Sequence, residues 1–408
     1  SSTSGDITLN AGIGGIRTIT SAKGNNAFAE LSTTGTITLN AEGIIGSSDN
    51  SSTIQFVDGQ DDVNVFNDST SNTSLNGLGA FTLGSITTSG GNFSGIARVD
   101  DTTESSLTIA GNISTNNGHV QLRATGSVTV SDTFTVNAGS GTIGLIADDH
   151  TYANVDKSGD VVLLGSAQII STSAADTTTS PPDVAINISG NDLQLSAGST
   201  VSALNGGIWL KTSGKGSMEI GGTGAGADFT VDDGDVTDEL SRIFAGTKLT
   251  FGVDYGSHTQ KNDITITTID PEGDPDIEIL QATGETTGVI LSDDATGTAL
   301  NAGSGTIFIK AGTNGITATN GNNDIAELAT TGTSVTLNTT GKIGTSTTDR
   351  IEFADNTNPS QQVVYIGTLN QPGSAVYLDG IGTLTLGAIT TNNVNLDVTA
   401  GSDLTVDD

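Results

Sequence analysis

The 408-residue chain contains no cysteine, so it can form neither a disulfide framework nor a thiolate metal site. Aromatic residues make up only 4% of the chain and hydrophobic residues 34%, which is little large apolar surface for an ordinary globular core. No run of 18 apolar residues occurs, so a membrane-spanning helix is not expected. This composition favours a thin core that is buried a little at a time along an axis.

Basic residues are also scarce. The chain has 46 acidic residues against 13 lysines and arginines, which gives a formal net charge of −33. A field of this sign repels nucleic acid and anionic membranes, and neither is expected as a partner. The same field favours solubility, divalent cations and basic partners.

Short pairs of apolar residues separated by one polar residue are abundant. This period of two, with many β-branched residues, is typical of strands that bury one face. The asparagine-glycine steps between some pairs predict tight turns, for example at Asn76-Gly77 and Asn314-Gly315. The clearest pairs are Ile7/Leu9, Ile37/Leu39, Val63/Val65, Phe81/Leu83, Leu107/Ile109, Val120/Leu122, Val128/Val130, Leu193/Leu195, Ile208/Leu210, Phe229/Val231, Ile264/Ile266, Ile307/Ile309, Val335/Leu337, Leu384/Leu386 and Leu404/Val406.

A long internal repeat favours a solenoid over a sandwich or a barrel. Residues 25–88 recur as residues 322–391, so residues 1–100 and 302–408 are predicted to be copies of one repeat of about 300 residues. We predict an all-β fold, a single-stranded parallel β-helix that runs as one continuous β-solenoid over residues 1–408. Each coil is expected to take about 20–25 residues.

Three segments interrupt the strand pattern. Residues 234–246 contain capping candidates Asp235 and Thr237 followed by Gly246, and they predict a short helical excursion. Residues 171–183 include Pro181-Pro182, and residues 270–278 include Pro271 and Pro275; both are predicted to protrude as loops.

The motif G-[DT]-I-T-L-N-A at residues 5–11 and 35–41, together with the run at 236–252, resembles filamentous-haemagglutinin-like giant bacterial surface proteins. The resemblance implies a right-handed parallel β-helix, export to the bacterial cell surface, and a role in adhesion or filament formation. It supplies no catalytic motif to carry over.

Clustered carboxylates are the strongest chemical feature. Asp270, Glu272, Asp274, Asp276 and Glu278 form the best candidate Ca²⁺ site, because Ca²⁺ prefers many oxygen ligands. The alternative is a solvated acidic surface.

Paired carboxylates could also cleave glycosidic bonds, but no pair stands out and sugar-stacking aromatics are few, so an enzyme is not expected. The glycines of residues 139–144 predict a turn between strands rather than a nucleotide-binding loop, because no helix pattern follows.

The sequence therefore predicts the structural shaft of an extracellular bacterial filament or giant surface adhesin. Its partner would be itself, as a head-to-tail homopolymer or a longer tandem array. The first alternative is an adhesin module that binds glycans or host surfaces through the loops at 176–183 or 270–276. A less favoured alternative is a polysaccharide-degrading β-helix enzyme.

Overall fold

The computed structural model describes residues 5–17, 29–46, 53–99, 103–149, 159–177, 183–213, 216–222, 227, 229–231, 239–253, 262–281, 285–292, 297–319, 325–356, 358, 360–367, 374–391 and 394–407. These residues form short strands connected by turns, and the chain divides into two compact units, Ser1–Ile208 and Trp209–Asp408. No helix in the described part of the chain is long and apolar enough to cross a membrane.

The strands of the first unit are short and closely spaced. They are β1 (Ile7–Ala11), β2 (Ile37–Ala41), β3 (Ile54–Phe56), β4 (Gln60–Asn67), β5 (Thr73–Gly77), β6 (Phe81–Thr88), β7 (Phe93–Ala97), β8 (Leu107–Ile109), β9 (Ile113–Ser114), β10 (Val120–Ala124), β11 (Val128–Val130), β12 (Thr135–Asn137), β13 (Ile143–Ile146), β14 (Val161–Leu163), β15 (Gln168–Ser171), β16 (Asp176–Thr177), β17 (Asp183–Val184), β18 (Ile186–Gly190), β19 (Leu193–Leu195) and β20 (Thr200–Ala203).

The second unit has the same character, and β21 (Ile208–Thr212) begins at the last residue of the first. The remaining strands are β22 (Met218–Ile220), β23 (Phe229–Val231), β24 (Ile243–Ala245), β25 (Lys248–Val253), β26 (Ile264–Ile266), β27 (Asp276–Gln281), β28 (Gly288–Leu291), β29 (Leu300–Asn301), β30 (Ile307–Ala311), β31 (Gly315–Ala318), β32 (Leu328–Ala329), β33 (Ser334–Thr339), β34 (Ile351–Phe353), β35 (Val363–Ile366), β36 (Ala375–Gly380), β37 (Leu384–Ile389), β38 (Asn395–Ala400) and β39 (Leu404–Val406).

Parallel pairing between successive coils builds each unit. In the first unit, β1, β2, β4, β6, β8, β11, β14 and β19 pair in that order on one face, and β3, β5, β7, β10, β13 and β18 pair on another. In the second unit, β25, β27, β30, β33, β35, β37 and β39 form one parallel face. The predicted parallel β-helix is confirmed, whereas its handedness and its continuity over residues 1–408 stay predictions.

The core lies between the faces and is thin, as the composition indicated. Every one of the fifteen apolar pairs given above lies in a strand, and Ile37, Leu39 and Val63 are fully buried. Phe56 and Phe81 stack inside with ring centroids 5.0 Å apart. In these pairs, alternation thus directs both apolar side chains to the same face of the strand.

Coil length is more variable than expected. Val63 pairs with Leu83, 20 residues later, but Val128 pairs with Val161, 33 residues later. The predicted range of 20–25 residues was too narrow, because a turn can lengthen outward without changing the strand register that the core requires.

Within the described residues, which begin here at Glu239, the helical excursion is shorter than predicted. A single 3-10 turn spans Leu240–Arg242, and Ile243–Ala245 is already a strand. The proposed caps Asp235 and Thr237 lie outside the described residues, and Glu239, which precedes the turn, makes no side-chain capping bond. Alternation of buried Ile243 with partly exposed Phe244 therefore prevailed over local helix signals.

The two predicted loops differ in form. At 171–183, Asp176–Thr177 and Asp183–Val184 pair antiparallel, and residues 178–182 lie outside the described part. At 270–278, Glu272 and Gly273 form a turn, and strand β27 begins at Asp276. The Asn314-Gly315 turn is present with Gly315 at φ +89°, but the turn predicted at Asn76-Gly77 is wrong, because both residues belong to β5.

Candidate functional site: the joints between coils

A recurrent side-chain contact connects many coils to the next one. Oδ1 of Asp58 accepts the backbone N–H of Ala80 at 2.7 Å, and Oδ1 of Asp132 accepts that of Ser166 at 2.9 Å. We call these contacts coil joints. Further coil joints connect Asp6 to Thr36, Asn64 to Ser85, Asn92 to His119, Asn112 to Thr135, Asn117 to Ser140, Asp263 to Gly288, Asp276 to Thr306 and Asp355 to Thr383.

Aspartate and glycine act together at these joints. Gly165, just before the donor Ser166, has φ +54°, and a Cβ at this position would lie 2.0 Å from Oδ1 of Asp132. Glycine both adopts this conformation and leaves space for the carboxylate of the coil below. The abundance of acidic residues and glycine is thus partly explained by the need to satisfy backbone N–H groups where coils turn.

One coil joint uses an imidazole. Nδ1 of His119 accepts the backbone N–H of Thr142 at 3.0 Å, and it lies 2.8 Å from the Thr142 hydroxyl. In the contact with the Thr142 N–H, Nδ1 is the acceptor, as a carboxylate or amide oxygen is in the other joints. His119 therefore takes the place that aspartate or asparagine holds in other coils.

The two copies of the long repeat make equivalent contacts. Oε2 of Glu30 accepts the N–H of Gln55 at 2.6 Å, and Oε2 of Glu327 accepts that of Glu352 at 2.5 Å. The coil joint from Asp58 to Ala80 likewise has its equivalent in the joint from Asp355 to Thr383.

Buried threonines extend this equivalence. The hydroxyl of Thr33 donates to the carbonyl of Gly5, and that of Thr330 donates to the carbonyl of Gly305. Gln60 Oε1 accepts the N–H of Thr33 at 3.2 Å, just as Gln362 Oε1 accepts the N–H of Thr330 at 3.0 Å. Similar sequence therefore produces the same contacts between coils in both copies.

The copies differ where Arg350 stands in place of Thr53. Arg350 is buried, and its guanidinium donates to the carbonyls of Leu378 and Asp397 and to the Asp397 carboxylate. In the first copy, the hydroxyls of Thr53 and Ser94 are buried and have no hydrogen-bond partner among the described residues. Strand register places Asp397 at the position of Ser94, as Arg350 is at the position of Thr53. The second copy thus has an ion pair between coils where the first copy has two hydroxyl groups.

The five candidate Ca²⁺ ligands are not brought together. Among the described residues, no three histidine, aspartate or glutamate side chains gather in a way that could hold a metal ion. Glu272 is exposed in a turn, and the other four contact neighbouring coils. Asp270 accepts from Asn301, Asp274 from Ser304, Asp276 from Thr306, and Glu278 from Thr250.

Asp160 is a carboxyl with altered titration. Burial raises its pKa above the usual range, a hydrogen bond from Asn191 opposes the rise, and the neighbouring charge of Asp192 adds to it. Its oxygens accept from Asn191 Nδ2 at 3.4 Å and Gln194 Nε2 at 3.0 Å. These donors belong to the next coil, so Asp160 also connects neighbouring coils, although through side-chain amides rather than a backbone N–H.

Trp209 and Lys211 form a cluster that the sequence pattern did not indicate. Trp209 occupies an outward position between Ile208 and Leu210, yet it is fully buried, and its Nε1 donates to the Gly252 carbonyl at 2.6 Å. Lys211 Nζ lies 3.8 Å from the centroid of the Trp209 ring. Burial lowers the pKa of Lys211 to about 8.

No family model, curated protein or solved structure matches the chain. The resemblance to filamentous-haemagglutinin-like proteins therefore stays a prediction.

Proposed function

We propose that the chain is a structural segment, the shaft of an extracellular bacterial filament or giant surface adhesin. Its function follows from stacked coils rather than from a reaction at one site. A solenoid of this kind gains stability from each coil and from each interface between neighbouring coils, so its length can increase without a larger core.

The observation that carries the proposal is the recurrence of the same contacts in both copies. The joints made by Asp58 and Asp355, and the threonine contacts made by Thr33 and Thr330, occur at corresponding positions of the repeat. A unit that repeats its interfaces as well as its sequence is suited to building long arrays.

We further propose that repeats of this kind stack along one axis, within a longer polypeptide or between separate copies. Phe81 of the first copy pairs with Leu107 of the coil that follows, as Leu384 pairs with Leu404 in the second copy. Strand β11 covers Leu107, which is fully buried, whereas Leu404 is 48% exposed.

Two measurements on the producing cells test the proposal. Immunogold labelling with antibodies against the chain should mark filaments outside the cell. Denaturing mass measurement and sedimentation of the native material should show either a polypeptide much larger than 40.9 kDa or end-to-end polymers. Label confined to the cell interior, or a 40.9 kDa species that stays monomeric, would contradict the proposal.

A further inference from the structure

An outward row on the second unit differs in chemistry from its equivalent in the first. Strand register aligns Glu278 with Phe308, Phe308 with Thr336, and Thr336 with Tyr365. All four side chains alternate with buried neighbours and are partly exposed. We call Phe308, Thr336 and Tyr365 the aromatic row.

Aromatic side chains in this chain are few, and many of them are fully buried in the core. Phe56, Phe81, Phe93, Phe229, Phe251 and Phe353 are among the largest fully buried side chains. Phe308 and Tyr365 instead face outward from strands whose inward positions are held by aliphatic residues. Core packing therefore does not account for these two rings.

The first copy supplies an internal comparison. Strand register there aligns Thr8 with Thr38 and Thr38 with Asn64, at the positions equivalent to Phe308, Thr336 and Tyr365. The scaffold thus accepts small polar residues at both aromatic positions. The aromatic rings are a property of the second copy rather than a requirement of the fold.

The geometry of the aromatic row suits a linear ligand. The rings belong to coils two apart, about 9–10 Å at the ordinary spacing of paired strands. The Tyr365 ring lies against the backbone of Gly387, where a Cβ would be 2.3 Å from the ring, so one of its faces rests on the protein. Thr336 places a hydroxyl between the two rings, and Ser334 and Asn338 flank it on the same strand.

We propose that the aromatic row binds an extended, uncharged β-linked polysaccharide that lies along the direction of coil stacking. Sugar rings present apolar C–H faces that stack on aromatic rings, and hydroxyls that pair with Thr336, Ser334 and Asn338. One coil spacing is close to the length of one sugar residue in an extended chain, so alternate sugars meet the two rings. The net charge of −33 disfavours polyanionic chains.

Affinity gel electrophoresis with hydroxyethylcellulose, xyloglucan or mixed-linkage β-glucan in the gel tests this binding. Wild type should be retarded by at least one of these neutral polysaccharides. Phe308→Thr/Tyr365→Asn, which introduces the residues of the first copy, should weaken the interaction roughly tenfold or more. The conservative pair Phe308→Tyr/Tyr365→Phe keeps both rings and should keep the retardation.

A matched control removes an outward aromatic elsewhere. Phe66 is 52% exposed on the first unit, and Phe66→Thr should leave retardation unchanged. Wild type that is retarded by none of the neutral polysaccharides, or only by heparin or alginate, overturns the proposal. So does retardation that survives the Phe308→Thr/Tyr365→Asn change. None of these outcomes depends on filament formation, which is measured separately.

Discussion

Nη2 of Arg350 lies 3.0 Å from Oδ1 of Asp397, a residue that follows 47 positions later and two coils further along. Nη1 of the same side chain donates to the carbonyls of Leu378 and Asp397. A single arginine thus joins three successive coils of the second copy, at the position where the first copy has Thr53.

Replacing Arg350 should destabilise the chain far more than replacing its acidic partner. The side chain of Arg350 is 7% exposed and that of Asp397 is 41% exposed. Arg350→Met leaves buried carbonyls without a donor and should lower the free energy of unfolding by about 2–4 kcal/mol. Asp397→Ser keeps the carbonyl contacts and should cost less than about 1 kcal/mol. Urea denaturation followed by circular dichroism measures both, and equal losses would contradict the three-coil contact.

Variants of Asp276 can show whether its carboxylate serves as a coil joint or as a Ca²⁺ ligand. Its Oδ1 accepts both the N–H of Thr306 at 2.7 Å and the Thr306 hydroxyl at 2.9 Å. Asp276→Asn keeps an oxygen acceptor and should leave the melting temperature nearly unchanged, whereas Asp276→Ala should cost about 1–2 kcal/mol. A chelator should not change the melting temperature of wild type, Asp276→Asn or Asp276→Ala. A chelator-induced fall in the melting temperature of wild type that Asp276→Asn abolishes would favour Ca²⁺ instead.

Lys211 should make stability depend on alkaline pH. Its pKa falls from 10.5 to about 8 on folding, so the unfolded chain binds more protons between these values. The free energy of unfolding should therefore rise with pH between pH 8 and pH 10.5 because of this group. Below pH 8 Lys211 is charged in both states, so the cost of burying its charge does not change with pH. Lys211→Met should add about 1–3 kcal/mol at pH 7, since the side chain is only partly exposed.

The measurement is the difference in the free energy of unfolding between wild type and Lys211→Met as a function of pH. The contributions of all other titratable groups cancel in this difference. This difference should shrink from pH 8 towards pH 10.5. A difference that stays constant with pH would show that the burial of Lys211 does not control its protonation.

Leu107 and Leu404 form a matched pair for testing the equivalence of the copies. Leu107 is fully buried beneath the next coil, and Leu404 is 48% exposed. Leu107→Ala should therefore cost about 2–5 kcal/mol, and Leu404→Ala less than about 1 kcal/mol. Fusing residues 110–130 after Val406 should cover Leu404 and raise the cost of Leu404→Ala towards that of Leu107→Ala. An unchanged cost in the fusion would mean that the coil that covers Leu107 does not pack against Leu404 of the second copy.

Sequence patterns predicted the strands better than the turns. Each apolar pair identified a strand, because the period of two directly reflects which side chains are buried. The Asn76-Gly77 step was misassigned because its local preference for a turn was overridden by strand pairing with Ile96 and Ala97. The candidate Ca²⁺ ligands do not gather among the described residues for a similar reason: Asp276 and Glu278 lie on a strand, where each accepts a hydrogen bond from a neighbouring coil.

The sequence alone determined that the chain is all β, that its core is thin, and that one long unit is repeated. These properties follow from the alternation, the composition and the direct comparison of residues 25–88 with 322–391. The tertiary structure decided which groups meet between coils, including Asp132 with Ser166 and Arg350 with Asp397, and which residues share an outward row, such as Phe308, Thr336 and Tyr365. These partners are separated by a variable coil length, and only the register of the buried strands brings them together.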